Sequence, residues 1–208
     1  MKYDVEKLRQ EVIDRKTNRK SIIKDILEAD SFREAGIIAK FYLPPQSYGH
    51  VINNWFRNSN YSDFKNLKSS DRIGDDLVFG KYNTEVKSSL CDDGKKYNYV
   101  QIRLTHDIHF YFLPTYDFIL DKSYYFLLTK KEMIEMVKLS NGELSHGTRS
   151  EKGSLEENIS NPDIEFCIRP VVGKDLWKEL MKFDMNEDDF RNEKIWENKL
   201  STGDNNHG

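Results

Sequence analysis

A chain of 208 residues, 38% of them apolar and 12% aromatic, is long enough for a packed core and too well supplied with anchoring side chains to be disordered. Charged residues make up 32% and the net charge is -3, which excludes a strongly basic, sequence-blind coat for nucleic acid. The excess acid is local: residues 181–208 carry four Lys/Arg against seven Asp/Glu, and the other 180 residues carry 28 of each sign, so a neutral body remains able to present a basic cleft.

Residues 1–40 read as helical, with Val5, Leu8, Val12 and Ile13 on one stripe, Ile22, Ile23, Ile26 and Leu27 on another, and a break between Thr17 and Ser21. Pro44-Pro45 ends the apolar run that precedes it, and a helix is expected from about Ser47 through Phe56. Residues 57–71 are polar and loop-like. Leu77-Val78-Phe79 and Tyr82–Ser88 flank Gly80-Lys81 as a β-hairpin, and residues 92–96 form a turn. A short helix is expected over 98–106, then two aromatic strands at 108–119 and 123–129, and an amphipathic helix from Lys130 to Leu139 with Met133, Ile134 and Val137 on its apolar side. Residues 140–163 read as a long loop, Ile164–Val172 as a last strand, and Lys174–Phe183 as a helix. These elements divide into an N-terminal helical region at 1–46, a core at 47–183 and an acidic, partly disordered tail at 184–208.

No run approaches the roughly 18 apolar residues of a membrane helix, and the N-terminus has no signal-peptide pattern, so a cytoplasmic protein without a membrane partner is expected. Cys91 and Cys167, with no CxxC spacing, are expected to be free thiols. The five histidines show no HExxH-like ligand pattern. Tyr97, Tyr99, Tyr111, Tyr116, Tyr124 and Tyr125 alternate with apolar residues and read as core or sheet surface rather than base-stacking platforms.

The segment that carries chemistry is Gly74-Asp75-Asp76-Leu77-Val78-Phe79-Gly80-Lys81-Tyr82-Asn83-Thr84-Glu85-Val86-Lys87-Ser88-Ser89. Side chains alternate along a strand, so Glu85 and Lys87 project from one face and Val86 from the other. Asp76, just before the hairpin, would lie beside Glu85. Two carboxylates and an ammonium then converge, and this is what phosphodiester hydrolysis needs: oxygen ligands for a hard cation, and a lysine to hold the attacking water and offset charge on the phosphorane. The bland alternative is a surface hairpin with a cross-strand Lys–Glu pair, since Glu-x-Lys alone is common.

With Asp76 nine residues before ExK and a Gly turn between, the pattern resembles the PD-(D/E)xK nucleases, and its EVKSS ending resembles type II restriction endonucleases in particular. YVQIRL at 99–104, the strands around YFLPTYDFIL and YYFLLTKKEM, and His146-Gly147-Thr148 are similar to segments of those enzymes. The resemblance spans roughly residues 47–180, and only 74–104 are specific. It implies an α/β (α+β) fold with a restriction-endonuclease-like core, a central mixed β-sheet flanked by helices. It also implies Mg²⁺ (Mn²⁺ as substitute) held by Asp76 or Asp75, Glu85 and the Val86 carbonyl. Catalysis would then rest on Asp76, Glu85 and Lys87, with Gln101 assisting. Ser88, Ser89, Arg103, His146, Thr148 and Arg149 would contact DNA. The acidic residue that many relatives carry on the preceding helix is replaced here by His50, Asn53 and Asn54.

The implied activity is sequence-specific cleavage of double-stranded DNA by a homodimer, one active site per strand. Two rivals stand beside it: a non-sequence-specific nuclease of DNA repair, transposition or anti-phage defence, and a catalytically silent DNA-binding module of the same fold.

Overall fold

The computed structural model describes residues 19–44, 47–58, 68–69, 77–79, 81–91, 93–145, 153–190 and 192–204, and the chain divides into two compact units, Met1–Tyr61 and Ser62–Gly208. The first unit has three helices among its described residues: α1 (Arg19–Leu27), α2 (Phe32–Tyr42) and α3 (Tyr48–Asn58). The helical stripe expected over Ile22–Leu27 lies in α1, with Ile22 and Ile26 buried. Ser31 caps α2 by accepting the Glu34 N–H, and Leu43 ends it in extended backbone just before Pro44. Phe32, Trp55 and Phe56 pack as an aromatic trio, and the Trp55 indole donates to the Ala29 carbonyl at 3.0 Å. The stripe from Val5 to Ile13 lies outside the described residues.

The second unit is α+β, with a mixed central sheet flanked by helices. Its strands are β1 (Lys68–Ser69), β2 (Leu77–Phe79), β3 (Tyr82–Val86), β4 (Ser89–Cys91), β5 (Tyr99–Ile102), β6 (Phe110–Asp117), β7 (Lys122–Thr129), β8 (Phe166–Ile168) and β9 (Asp184–Met185). The main sheet runs β1-β2-β3-β6-β7-β9, and β4 also pairs with β6. β3 and β4 lie parallel to β6, whereas β2–β3, β6–β7 and β7–β9 are antiparallel. All eight residues of β6 are buried, as befits a strand covered on both faces.

One face of this sheet (Tyr111, Leu113, Phe126, Leu128) is covered by helix α4 (Lys130–Leu139), through Met133, Met136 and Val137, and by the small antiparallel β5–β8 sheet. Thr129 and Glu132 form a capping box that starts α4. The other face receives Trp196, whose ring meets Phe110 edge-on at 5.1 Å between centroids. Trp196 belongs to α8 (Glu193–Asp204), which follows the short α7 (Glu187–Phe190). Where composition suggests an acidic, partly disordered tail, the chain thus forms helix, because one fully buried indole contributes enough apolar area to dock it.

Three further segments differ from expectation. The segment 98–106 is not a helix: β5 pairs with β8, and a bulge lies between Tyr99 and Ile102. Tyr97 and Tyr99 are buried, then Ile102 and Leu104, and the change of phase falls at Gln101, whose φ is 58°. Two period-2 runs out of step imitate a helical stripe. Residues 140–163, read as a loop, contain helix α5 (Leu155–Ile159), started by a Ser154–Glu157 capping box. The helix expected over Lys174–Phe183 is shorter: α6 (Asp175–Leu180) passes into one 3₁₀ turn, Met181–Phe183. Cys91 and Cys167 are both free and buried, and the six tyrosines that read as core are all buried.

The small sheet is tied to the main one by hydroxyls. Tyr97 donates to Asp117 Oδ2 at 2.5 Å, and Tyr99 meets the Thr115 hydroxyl at 2.5 Å. The Tyr97 ring stacks on Trp177 at 4.7 Å. Burial, then the Asp117 carboxylate, pushes the Tyr97 phenol far above its ordinary value, so it remains a donor. Tyr97→Phe leaves Asp117 Oδ2 buried without that donor and should cost about 1–3 kcal/mol in urea unfolding; an unchanged midpoint would show that the contact does not hold the layers together.

Candidate active site

The β2–β3 hairpin sets the first coordinates: Leu77 stands opposite Thr84, Val78 opposite Asn83, and Phe79 opposite Tyr82. β3 then lies parallel to β6, with Glu85 beside Tyr111 and Val86 beside Phe112. Glu85 and Lys87 point to one side, and Lys87 Nζ sits 2.5 Å from Glu85 Oε1. Glu85 is only 3% exposed. A surface ion pair is thereby ruled out, and the partners lie two apart on one strand rather than across two. Lys87 places a compensating charge against a carboxylate this buried.

β3 stops at Val86 and β4 starts at Ser89, yet both hold the same register on β6. They are two pieces of one parallel strand, and the cause of the break is on the opposite side. Lys87 N–H donates to the Phe112 carbonyl at 3.0 Å. The reciprocal bond in a parallel ladder would run from residue 114 to the Lys87 carbonyl, and residue 114 is proline, which has no N–H. Pro114 therefore opens the ladder at Lys87, and pairing resumes with Ser89 opposite Thr115 and runs on to Cys91, whose carbonyl accepts the Phe118 N–H at 2.9 Å.

A third side chain joins from the loop between β5 and β6. His106 Nδ1 lies 3.5 Å from Glu85 Oε2. That loop is fixed by three contacts: Tyr111 OH donates to the Arg103 carbonyl at 2.8 Å, Lys130 Nζ to the His106 carbonyl at 2.7 Å, and His109 N–H to the Asn83 carbonyl at 2.9 Å. Burial and then the Glu85 charge push the Tyr111 phenol well above its ordinary value, so it stays protonated as that donor. His106 also lines an open cleft of about 590 Å³ with Arg103, Thr105, Asp107, Pro162, Asp163 and Glu165.

Of the residues singled out by sequence, the structure brings together Glu85 and Lys87, with Val86 buried between them. Asp75, Asp76, His146, Thr148 and Arg149 lie outside the described residues. Ser89, expected at the DNA, is buried and accepts the Asn98 N–H; Ser88 is half-buried. Gln101 and Arg103 do not start a helix. Gln101 sits at the β5 bulge with its N–H on Ser145 Oγ and its side chain exposed, and Arg103 pairs with Glu165 at the cleft wall. Among the described residues no three His, Cys, Asp or Glu side chains group as a metal cage, and no helix is long and apolar enough to cross a membrane. His106 carries no local signal in the sequence; only the return of the chain from β5 to β6 sets it against Glu85. No family model, curated protein or solved structure matches the chain.

Two stability outcomes follow from this geometry. Lys87→Ala strands a buried carboxylate and should cost about 1–3 kcal/mol, less than a wholly enclosed pair because Lys87 is one-fifth exposed, whereas Glu85→Gln should stay within about 1 kcal/mol of native in the same urea titration. Pro114→Ala restores the missing donor, so the residue 114 amide should show slow hydrogen exchange as β3 and β4 fuse; fast exchange there would assign the break to another cause.

Proposed function

We propose that this chain is a divalent-metal-dependent endonuclease of the PD-(D/E)xK type, acting on double-stranded DNA as a homodimer in the manner of a type II restriction enzyme. The observation that carries the reading is the buried Glu85 carboxylate with Lys87 two residues along the same strand, at 2.5 Å, where the ladder opens. An antiparallel hairpin whose second strand turns to parallel pairing with a buried central strand supports a restriction-endonuclease-like core.

Glu85 supplies a carboxylate for the cation, and Asp76, bonded to Leu77, whose register partner is the neighbour of Glu85, supplies the second. The Val86 carbonyl is the third candidate ligand. Bound there, Mg²⁺ would polarise the scissile phosphate and lower the pKa of the attacking water. Lys87 orients that water and offsets the charge growing on the phosphorus oxygens. The sheet itself, with Val86 packed on its far face, keeps both side chains on one side.

The test is supercoiled plasmid with the purified chain and Mg²⁺. Discrete fragments are expected, with activity lost in EDTA. A smear would move the protein to a non-specific nuclease, and gel-shift binding without cutting would make it a silent module. Lys87→Ala should cut about 10²–10⁴-fold more slowly. Asp76→Asn should be inactive with DNA binding kept, while Asp75→Asn is much milder; the reverse order assigns the ligand to Asp75. Full cleavage by Glu85→Gln would sink the nuclease reading.

A further inference from the structure

His106, which the motif does not contain, stands against the Glu85–Lys87 pair. Its Nδ1 and Glu85 Oε2 are 3.5 Å apart, longer than the roughly 2.9 Å of a good N–H···O bond. It lies close to the spacing of two donors on one ion: ligands about 2.2 Å from a shared cation stand about 3.1 Å apart at the right angle of an octahedral site, so a closure of a few tenths of an ångström brings both onto one Mn²⁺. Lys87 occupies the other carboxylate oxygen, Oε1, so an ammonium and a cation do not compete for the same atom. The imidazole is also held in place by backbone contacts: Lys130 anchors the His106 carbonyl at 2.7 Å and Tyr111 the Arg103 carbonyl at 2.8 Å. The imidazole thus stands between the wall of an open cleft and the buried Glu85 Oε2.

We infer that His106 is a metal ligand beside Glu85, and that the site therefore takes a first-row transition cation, Mn²⁺ in the first instance, in preference to Mg²⁺. This rests on the reading of Glu85 as a metal-binding carboxylate. An imidazole nitrogen adds little to the binding of Mg²⁺, which favours oxygen ligands and holds its waters tightly, and adds much more to that of a borderline cation. The cation identity would then differ from the one that the D…ExK pattern alone suggests.

The experiment uses the full chain without DNA, titrated calorimetrically with MnCl₂ and separately with MgCl₂, and pulsed EPR on the Mn²⁺-loaded protein. Mn²⁺ should bind at least about tenfold more tightly than Mg²⁺, and the EPR spectrum should carry a ¹⁴N coupling from a ligated imidazole. His106→Gln replaces the imidazole by an amide that offers oxygen in place of nitrogen: Mg²⁺ affinity should stay within about threefold, while the Mn²⁺ preference and the ¹⁴N coupling vanish. Glu85→Gln should weaken both cations. A wild-type spectrum with no ¹⁴N coupling overturns the assignment whether or not the variant folds, and so does a folded His106→Gln protein that binds Mn²⁺ as the wild type does. Plasmid cutting separates the two readings. A ¹⁴N-coupled site in a protein that cuts nothing with either cation keeps His106 as ligand and ends the nuclease reading; cutting without the coupling does the opposite.

Discussion

The pairing of β6 with strands on both sides is the constraint from which the rest of the second unit follows. β6 is buried along its whole length and takes β3 and β4 on one edge and β7 on the other. A strand with no solvent contact must satisfy its backbone groups inside the sheet, so its neighbours are fixed in register to the residue. That register puts Glu85 beside Tyr111 and hands the Tyr111 hydroxyl to the loop that carries His106. One strand therefore sets both halves of the site: the carboxylate directly and the histidine through a phenol.

The site is made of things that cost stability. Glu85 loses its hydration, and the compensation from Lys87 repays that only in part. Pro114 sits in a central strand, where proline is ordinarily confined to edges or bulges because it removes a ladder bond. Each is a poor choice for a sheet that only had to be stable. Together they place an ion pair where the backbone between two strand segments is released from pairing. Local rules broken in one spot, with consistent packing all around, are the mark expected of a working site.

Much of this was legible in the residues. The hairpin at Leu77–Val86, the long aromatic pair β6–β7 and the amphipathic helix α4 all follow from periodicity and the Gly80-Lys81 turn. The shared face of Glu85 and Lys87 follows from strand alternation alone. What periodicity did not reveal were effects of non-local geometry. The bulge at Gln101 shifted the phase of a strand into a helix-like pattern. Trp196 docked a segment whose charge suggested solvent. Ser89 and Arg103, chosen by analogy for DNA contact, turned out to be engaged with Asn98 and Glu165. His106 was invisible because its partner lies across a turn of chain that no local pattern specifies.

The β6–β7 hairpin has one more consequence. Its eight residue pairs close over the short link Phe118–Asp121, whose N–H groups at Ile119 and Leu120 are already held by Asp117 Oδ1 at 2.9 Å. Such a local element forms with little loop entropy, whereas β3 must return across an intervening sheet and loop to pair in parallel. The order of assembly is thereby biased: the template comes first, and Glu85 and Lys87 are delivered to it late. A partly unfolded chain would hold the β6–β7 scaffold without the buried Glu85–Lys87 pair, which would join it as one of the last events of folding.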